Sequence, residues 1–114
     1  MNLYKNLEIW KESVYLIKEI YKIAETLPKS EEYILKLQLK RAVTSVALNI
    51  AEGKSRKTPK DFSSFLVIAN ASLSEVEAII TICEELGYFK ENKPIKEKIM
   101  ILGKRINALR NKLQ

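Results

Sequence analysis

The side chains available for chemistry are unevenly stocked: 14 carboxylates and 20 lysines and arginines, but a single cysteine, Cys83, and no histidine. Without an imidazole there is no histidine-based triad and no His ligand for zinc, and one cysteine cannot form an intrachain disulfide. The carboxylates that could still cooperate are Glu52 and Glu75. With Gln38, Arg41, Ser45, Asn49 and Ser72 they fall at helical spacing beside Ala42, Val46 and Ile50. That spacing turns polar groups inward, where an unpaired carboxylate costs several kcal/mol, on the order of the stability of a small domain. Such groups must be satisfied by one another, by water or by a neighbouring subunit. A network that sets helix register or oligomer state is the leading reading, a subunit interface the second, and acid–base or metal chemistry the third. Replacing Glu52 with Gln is then expected to change stability or assembly by about 1–3 kcal/mol. Metal-binding bundles of the di-metal type need Glu-x-x-His pairs, which this chain lacks, so no catalytic residue, metal or cofactor is expected.

The cations are the second constellation. Residues 1–26 sum to zero charge, 27–61 to +4, 62–91 to −4 and 92–114 to +6. In an antiparallel bundle the connection after the second helix lies at the same end as the close of the fourth. Lys54, Arg56, Lys57 and Lys60 would then approach Lys104, Arg105, Arg110 and Lys112 and make one end basic. The cations late in the fourth helix also have a plain role as complements to its dipole. The loop cluster does not, because it flanks a helix N-terminus that already favours anions. Phosphate is the natural partner. No aromatic residue alternates with these cations, which points to recognition of backbone or shape rather than base stacking.

The elements that must position these groups are four helices. Leu3, Leu7, Trp10, Val14, Ile17, Tyr21 and Ala24 form the apolar seam of the first, which stops before Leu27-Pro28. Ser30 as N-cap and Gly53 as a left-handed stop bound a second helix from Glu31 to Glu52. Thr58, Pro59 and Asp61 open the third with a capping-box pattern, and Gly87 followed by Tyr88 closes it as a Schellman motif. Asn92 and Pro94 start the fourth, whose seam runs from Ile95 to Leu113. One all-α domain over residues 1–114, an antiparallel up-down-up-down four-helix bundle, follows. Ile9, Ile20, Ile68 and Ile101 fall off the seams and are expected to face a second copy. Cys83 and Trp10 read as core residues, and Asn70-Ala71-Ser72 as a chance match to the glycosylation pattern. The apolar runs fall short of the roughly 18 residues of a bilayer span, and Met1-Asn2-Leu3-Tyr4-Lys5 has no secretory character, so no membrane and a cytoplasmic location are expected.

Leu7-Glu8-Ile9-Trp10, Leu27-Pro28, Glu32-Tyr33, Gln38-Leu39-Lys40-Arg41-Ala42, Asn49-Ile50-Ala51-Glu52-Gly53 and Ala69 through Ser72 to Glu75 resemble the bacterial four-helix-bundle family of 23S rRNA intervening-sequence proteins. The resemblance covers nearly the whole chain, and the bundle is similar to accessory proteins of diversity-generating retroelements. It implies a homopentamer associated with nucleic acid, with members encoded in insertions within large-subunit rRNA genes or elsewhere in bacterial genomes. It implies structural or interfacial roles for Asn49, Glu52, Gly53, Ser72 and Glu75, and no reaction. Ala71 departs from the family pattern, which usually has Gly there, and so bears on close helix packing. The expected function is a non-enzymatic homo-oligomer that binds nucleic acid, chiefly structured RNA, through its basic end. The alternative is an oligomeric scaffold for a protein partner such as a reverse transcriptase.

Overall fold

A computed structural model describes residues 3–113; the first two residues and the last lie outside the description. Four helices follow in order: α1 (Glu8–Ala24), α2 (Leu35–Lys54), α3 (Pro59–Glu85) and α4 (Lys93–Lys112), with short 3-10 turns at Tyr4–Asn6 and Lys29–Glu31. Each helix packs on the next, and α1 closes the ring on α4. Contacts that join residues of rising number on one helix to falling number on its neighbour fix the antiparallel sense: Gln38 with Glu75 and Ser45 with Ser72, Glu12 with Arg105 and Glu19 with Lys98. The result is the expected four-helix bundle, 44 × 23 × 19 Å. Ile20, Leu39, Ile50, Leu66, Ile80 and Ile106 have no solvent-accessible surface and fill its axis.

The capping chemistry read for α3 and α4 is present. Thr58 Oγ1 accepts the Asp61 N–H at 3.1 Å, and Asn92 Oδ1 accepts that of Ile95 at 3.1 Å. At the close of α3 the Tyr88 N–H donates to Cys83 O and the Gly87 N–H to Glu84 O, both at 3.0 Å. Gly87, at φ +78°, supplies the left-handed residue this motif requires.

Three expectations fail. The buried face of α1 is Ile9, Ser13, Leu16, Ile20 and Ala24, one position out of phase with the seam read from sequence except at Ala24, where the two coincide. Trp10 and Ile17 pack at its edge, while Tyr21 is exposed. Two apolar stripes run side by side on this helix, and the slimmer aliphatic side chains take the axis while the bulky Trp and Tyr stay at the rim. Ile9 and Ile20 are therefore core residues, not contacts for a second copy. Ser13 goes with them into the core, its hydroxyl donating to Trp10 O at 2.6 Å.

Helix α2 starts at Leu35 rather than Glu31, and Ser30 caps nothing. The acidic residues ahead of it are engaged elsewhere. Glu31 accepts a 2.6 Å hydrogen bond from Tyr88 Oη, which raises the tyrosine's pKa, and Glu32 pairs with Lys36 at 3.0 Å. Glu25, past the end of α1, takes Lys36 and Lys40 together at 2.9 and 2.7 Å, and these bonds hold its carboxyl below the usual range.

Gly53 does not stop α2. It lies inside the helix, and a Cβ there would stand 2.8 Å from Phe65 Cβ and 2.9 Å from Phe62 Cδ1. Absence of a side chain, not a left-handed backbone, is what the position uses. Gly53→Ala is expected to cost about 1–3 kcal/mol through forced repacking, read as a thermal midpoint lowered by several degrees. A Cβ on Gly103 meets its nearest neighbours at 3.5 and 3.6 Å, ordinary contact, so Gly103→Ala should instead stabilise by about 0.5–1 kcal/mol, the mid-helix cost of glycine.

Candidate nucleic-acid interface

The cation-rich end is built from the α2–α3 connection and the last turns of α4, which the antiparallel topology brings together. A shallow notch of 270 Å³ there is lined by Lys60, Ser63, Ser64, Val67, Arg110 and Leu113. The eight expected binding cations do not act alike. Lys54 Nζ lies 5.8 Å from the Phe62 ring centroid, and the Arg56 guanidinium lies 4.6 Å from that of Phe65. Arg56 also pairs with Glu52 at 3.0 Å. Both are committed to the α2–α3 corner, where Phe65 Cβ and the Phe62 ring also crowd Gly53. Arg105 sits about 10 Å up the axis from Lys112, at 1.5 Å per residue, and pairs with Glu12 of α1. Lys57, Lys60, Lys104, Arg110 and Lys112 are in no ion pair among the described residues.

Arg110 occupies a junction. The notch lies on one side of it, and on the other a furrow of 670 Å³ runs between α3 and α4, floored by Leu73 and Ile99 and edged by Lys104, Glu77 and Lys96. Lys96 is neutralised by Glu84 at 2.6 Å, so positive charge concentrates at the lower end. Asn107 Oδ1 accepts from Asn70 Nδ2 at 2.9 Å and lies 3.5 Å from Arg110 Nη1. Arg110 Nε is buried and has no hydrogen-bond partner among the described residues. Sequence reasoning found Arg110 by charge but missed Ser63, Asn70 and Asn107. Asn70 drew notice only as a glycosylation match, and nothing in one sequence pairs it with Asn107 across 37 residues.

The polar residues expected on a core stripe lie instead on the outer seam between α2 and α3. Ser45 and Ser72 share a 2.8 Å hydrogen bond and are half-buried, and Asn49 Nδ2 donates to Ser45 O and Oγ at 2.8 and 2.9 Å. Gln38, Arg41, Glu52 and Glu75 are exposed. Gln38 Nε2 reaches Glu75 at 3.4 Å, and Arg41 joins both in a depression with Tyr33, Ile34 and Leu37. The inward stripe is thus corrected: the core-facing arc of α2 is filled by Leu39, Ala42, Val43, Val46, Ala47 and Ile50, and the polar arc beside it meets α3 at the surface. Nor do Glu52 and Glu75 come together. Gln38, the partner of Glu75, precedes Glu52 by 14 positions, about 21 Å along the helix, so this pair assembles no acid–base site. Burial, then the charges of Glu31 and Glu84, push the Cys83 thiol up. That keeps it protonated and disfavours the thiolate a nucleophile needs. Ala71, on the exposed side of α3, lines the furrow.

The arrangement defines a helical bundle with a polar outer seam and a cationic end. The model of the 23S rRNA-intervening sequence protein family matches residues 5–108, and the chain belongs to that family. A crystal structure from Bacteroides thetaiotaomicron, described as a protein with unknown function from the S23 ribosomal protein family, superposes with a TM-score of 0.71. It is 23% identical, over 90% of this chain and 94% of that one, a likeness of fold. No curated protein matches the chain.

Exposure changes what Glu52 is worth. Its side chain is 51% exposed and its partner Arg56 is one turn away, so Glu52→Gln should cost only about 0.3–0.5 kcal/mol, the scale of an exposed pair of this spacing. Ser72→Ala, which removes the half-buried cross-helix bond, should cost about 0.5–1.5 kcal/mol. Chemical denaturation of the two variants checks this order.

Proposed function

We propose that this protein is a non-enzymatic, homo-oligomeric bundle that binds structured RNA through its basic end, acting in the cytoplasm. The observation that carries the reading is that Lys60 and Arg110, unpaired among the described residues, line one notch at the end of the bundle where the helix order also brings the segments that carry Lys57 and Lys112. Membership of a family named for rRNA intervening sequences supports an RNA as partner. Contacts to backbone phosphate release counterions, so the logarithm of the binding constant should fall linearly with that of salt, by about 0.7–0.9 per phosphate neutralised. Changing Lys57 and Lys112 to Gln should weaken binding of an RNA hairpin and flatten the slope. Unchanged affinity and slope both in this variant and in one with Lys60 and Arg110 changed to Gln would sink the reading. Lys54 and Arg56 are poor choices for this test because both pack on phenylalanine rings.

Oligomerisation is supported by a second face. Ile68, Ala71, Glu75, Ala78 and Ile82 repeat at alternating intervals of three and four on the exposed side of α3, and Leu37, Arg41, half-buried Thr44 and Leu48 do so on α2, with Ile34 just ahead of its first residue. Ile34, Leu48, Ile68 and Ile82 are 46–67% exposed. Two such stripes are coiled-coil seams without a partner inside the monomer, and a second copy, with the pentamer of the resemblance as the assembly, would cover them. The same face supports the alternative reading of a scaffold for a protein such as a reverse transcriptase. Light scattering should give a multiple of the monomer mass, reduced to the monomer by Ile68→Glu with Ile82→Glu. A monomer mass for the parent at all micromolar concentrations would remove both the oligomer and the pentamer.

A further inference from the structure

The notch between the first turns of α3 and the last turns of α4 has the chemistry of a single-phosphate seat. Lys60 and Arg110 line it from opposite helices, with Ser63 and Ser64 beside them, and among the described residues no carboxylate is in its lining. Ser64 already donates its hydroxyl to Lys60 O at 3.1 Å. Asp61, the nearest acid in sequence, uses its backbone N–H in the Thr58 cap and does not line the notch.

Arg110 is held in place from behind. Its Nη1 lies 3.5 Å from Asn107 Oδ1, which Asn70 Nδ2 fixes at 2.9 Å, whereas its buried Nε has no acceptor among the described residues. A buried, unmet guanidinium N–H carries a full desolvation cost and is rare in a native protein. Arg110 lines the notch, so an acceptor seated there is placed beside its guanidinium. Guanidinium N–H groups present a rigid fork suited to two oxygens of one phosphate, and Lys60 would add the second charge.

We propose that this notch seats one backbone phosphate of a nucleic-acid strand, with Arg110 as the anchoring donor, Lys60 as counter-charge and Asn70–Asn107 as positioning residues. The inference rests on the proposed RNA binding by the basic end and narrows it to one site. From Arg110 the strand would follow the α3–α4 furrow past Lys104 rather than cross the α2–α3 corner, where Lys54 and Arg56 lie against aromatic rings.

Two double variants remove equal charge. Lys60→Gln with Arg110→Gln empties the notch, and Lys57→Gln with Lys112→Gln leaves it intact. Binding of a labelled RNA hairpin should fall at least about tenfold further in the first than in the second, the scale of a lost charge-assisted contact. Its salt slope should also drop by the roughly 0.7–0.9 of one phosphate. Equal losses in the two variants would overturn the notch and leave the basic end standing. No loss in either would overturn both. A titration of the parent protein followed at the Arg110 Nε–Hε resonance needs no variant to fold. The resonance should shift with the RNA hairpin and, at higher concentration, with inorganic phosphate. A resonance unmoved at RNA saturation would overturn the proposal.

Discussion

The close approach of α2 and α3 is the constraint on which the rest of the molecule depends. Gly53 lets the two backbones meet at the corner where Phe62 and Phe65 stand, and the buried alanines Ala42 and Ala69 add no bulk along the same interface. Small residues at an interface set interaxial distance, and distance sets which side chains can touch. Because α2 and α3 are close, Ser45 and Ser72 can bond directly at 2.8 Å. Because α3 and α4 are not held in this way, a furrow opens between them, and Gly103 meets only the ends of side chains, at 3.5 Å or more. A bundle of four equal spacings would have neither the tight seam nor the furrow.

That asymmetry also divides the positive charge. At the tight corner the phenylalanine rings offer faces to cations, and Lys54 and Arg56 settle on them. Cation–π contacts of this kind compete with any ligand for the same side chains. On the open side, among the described residues, neither an aromatic ring nor a carboxylate lines the notch with Arg110 and Lys60, and neither cation is in an ion pair. The four cations of the α2–α3 connection and the four late in α4 are thus equal in number but not in availability. Net charge by segment located the basic end, while packing decided which of its cations are free.

The parts of the fold set by local chemistry were legible in the sequence. Thr58, Asn92 and Gly87 act through neighbours within a few residues, and all three do what their types dictate. The failures share one cause. Whether Gly53 ends a helix or fits under a ring depends on Phe62 and Phe65, which α3 brings to it. Whether Ile9 or Trp10 takes the core depends on how much room three other helices leave. Serine at position 45 reads as inward by period alone, but the arc it occupies borders α3 at the surface. The Asn70–Asn107–Arg110 chain was invisible for the same reason, since it exists only across an interface. The α2 start was lost to competition: Glu31 and Glu32, good first-turn residues, are better satisfied by Tyr88 and Lys36.

Helix α3 brings these considerations together, because it is apolar on more of its circumference than a bundle helix needs. An 18-residue stretch reaches a mean hydropathy of 1.6, enough by length and composition to cross a membrane, contrary to the sequence expectation, although only 39% of that stretch is buried in the bundle. The excess has a structural source. Leu66, Leu73, Val76 and Ile80 face the core, while Val67, Ile68 and Ile82 face out. A lipid-spanning α3 would have to abandon the bonds from Ser72 to Ser45 and from Asn70 to Asn107, and would leave α2 and α4 each with an open apolar face. It would also carry Glu75 into hydrocarbon, a cost of a few kcal/mol even on the more lenient scales. Packing a protein surface against the outer stripe demands none of this. The core face stays filled, and Glu75 keeps Gln38 and a position beside Arg41. The surplus apolarity of α3 is thus better matched to a protein surface than to lipid.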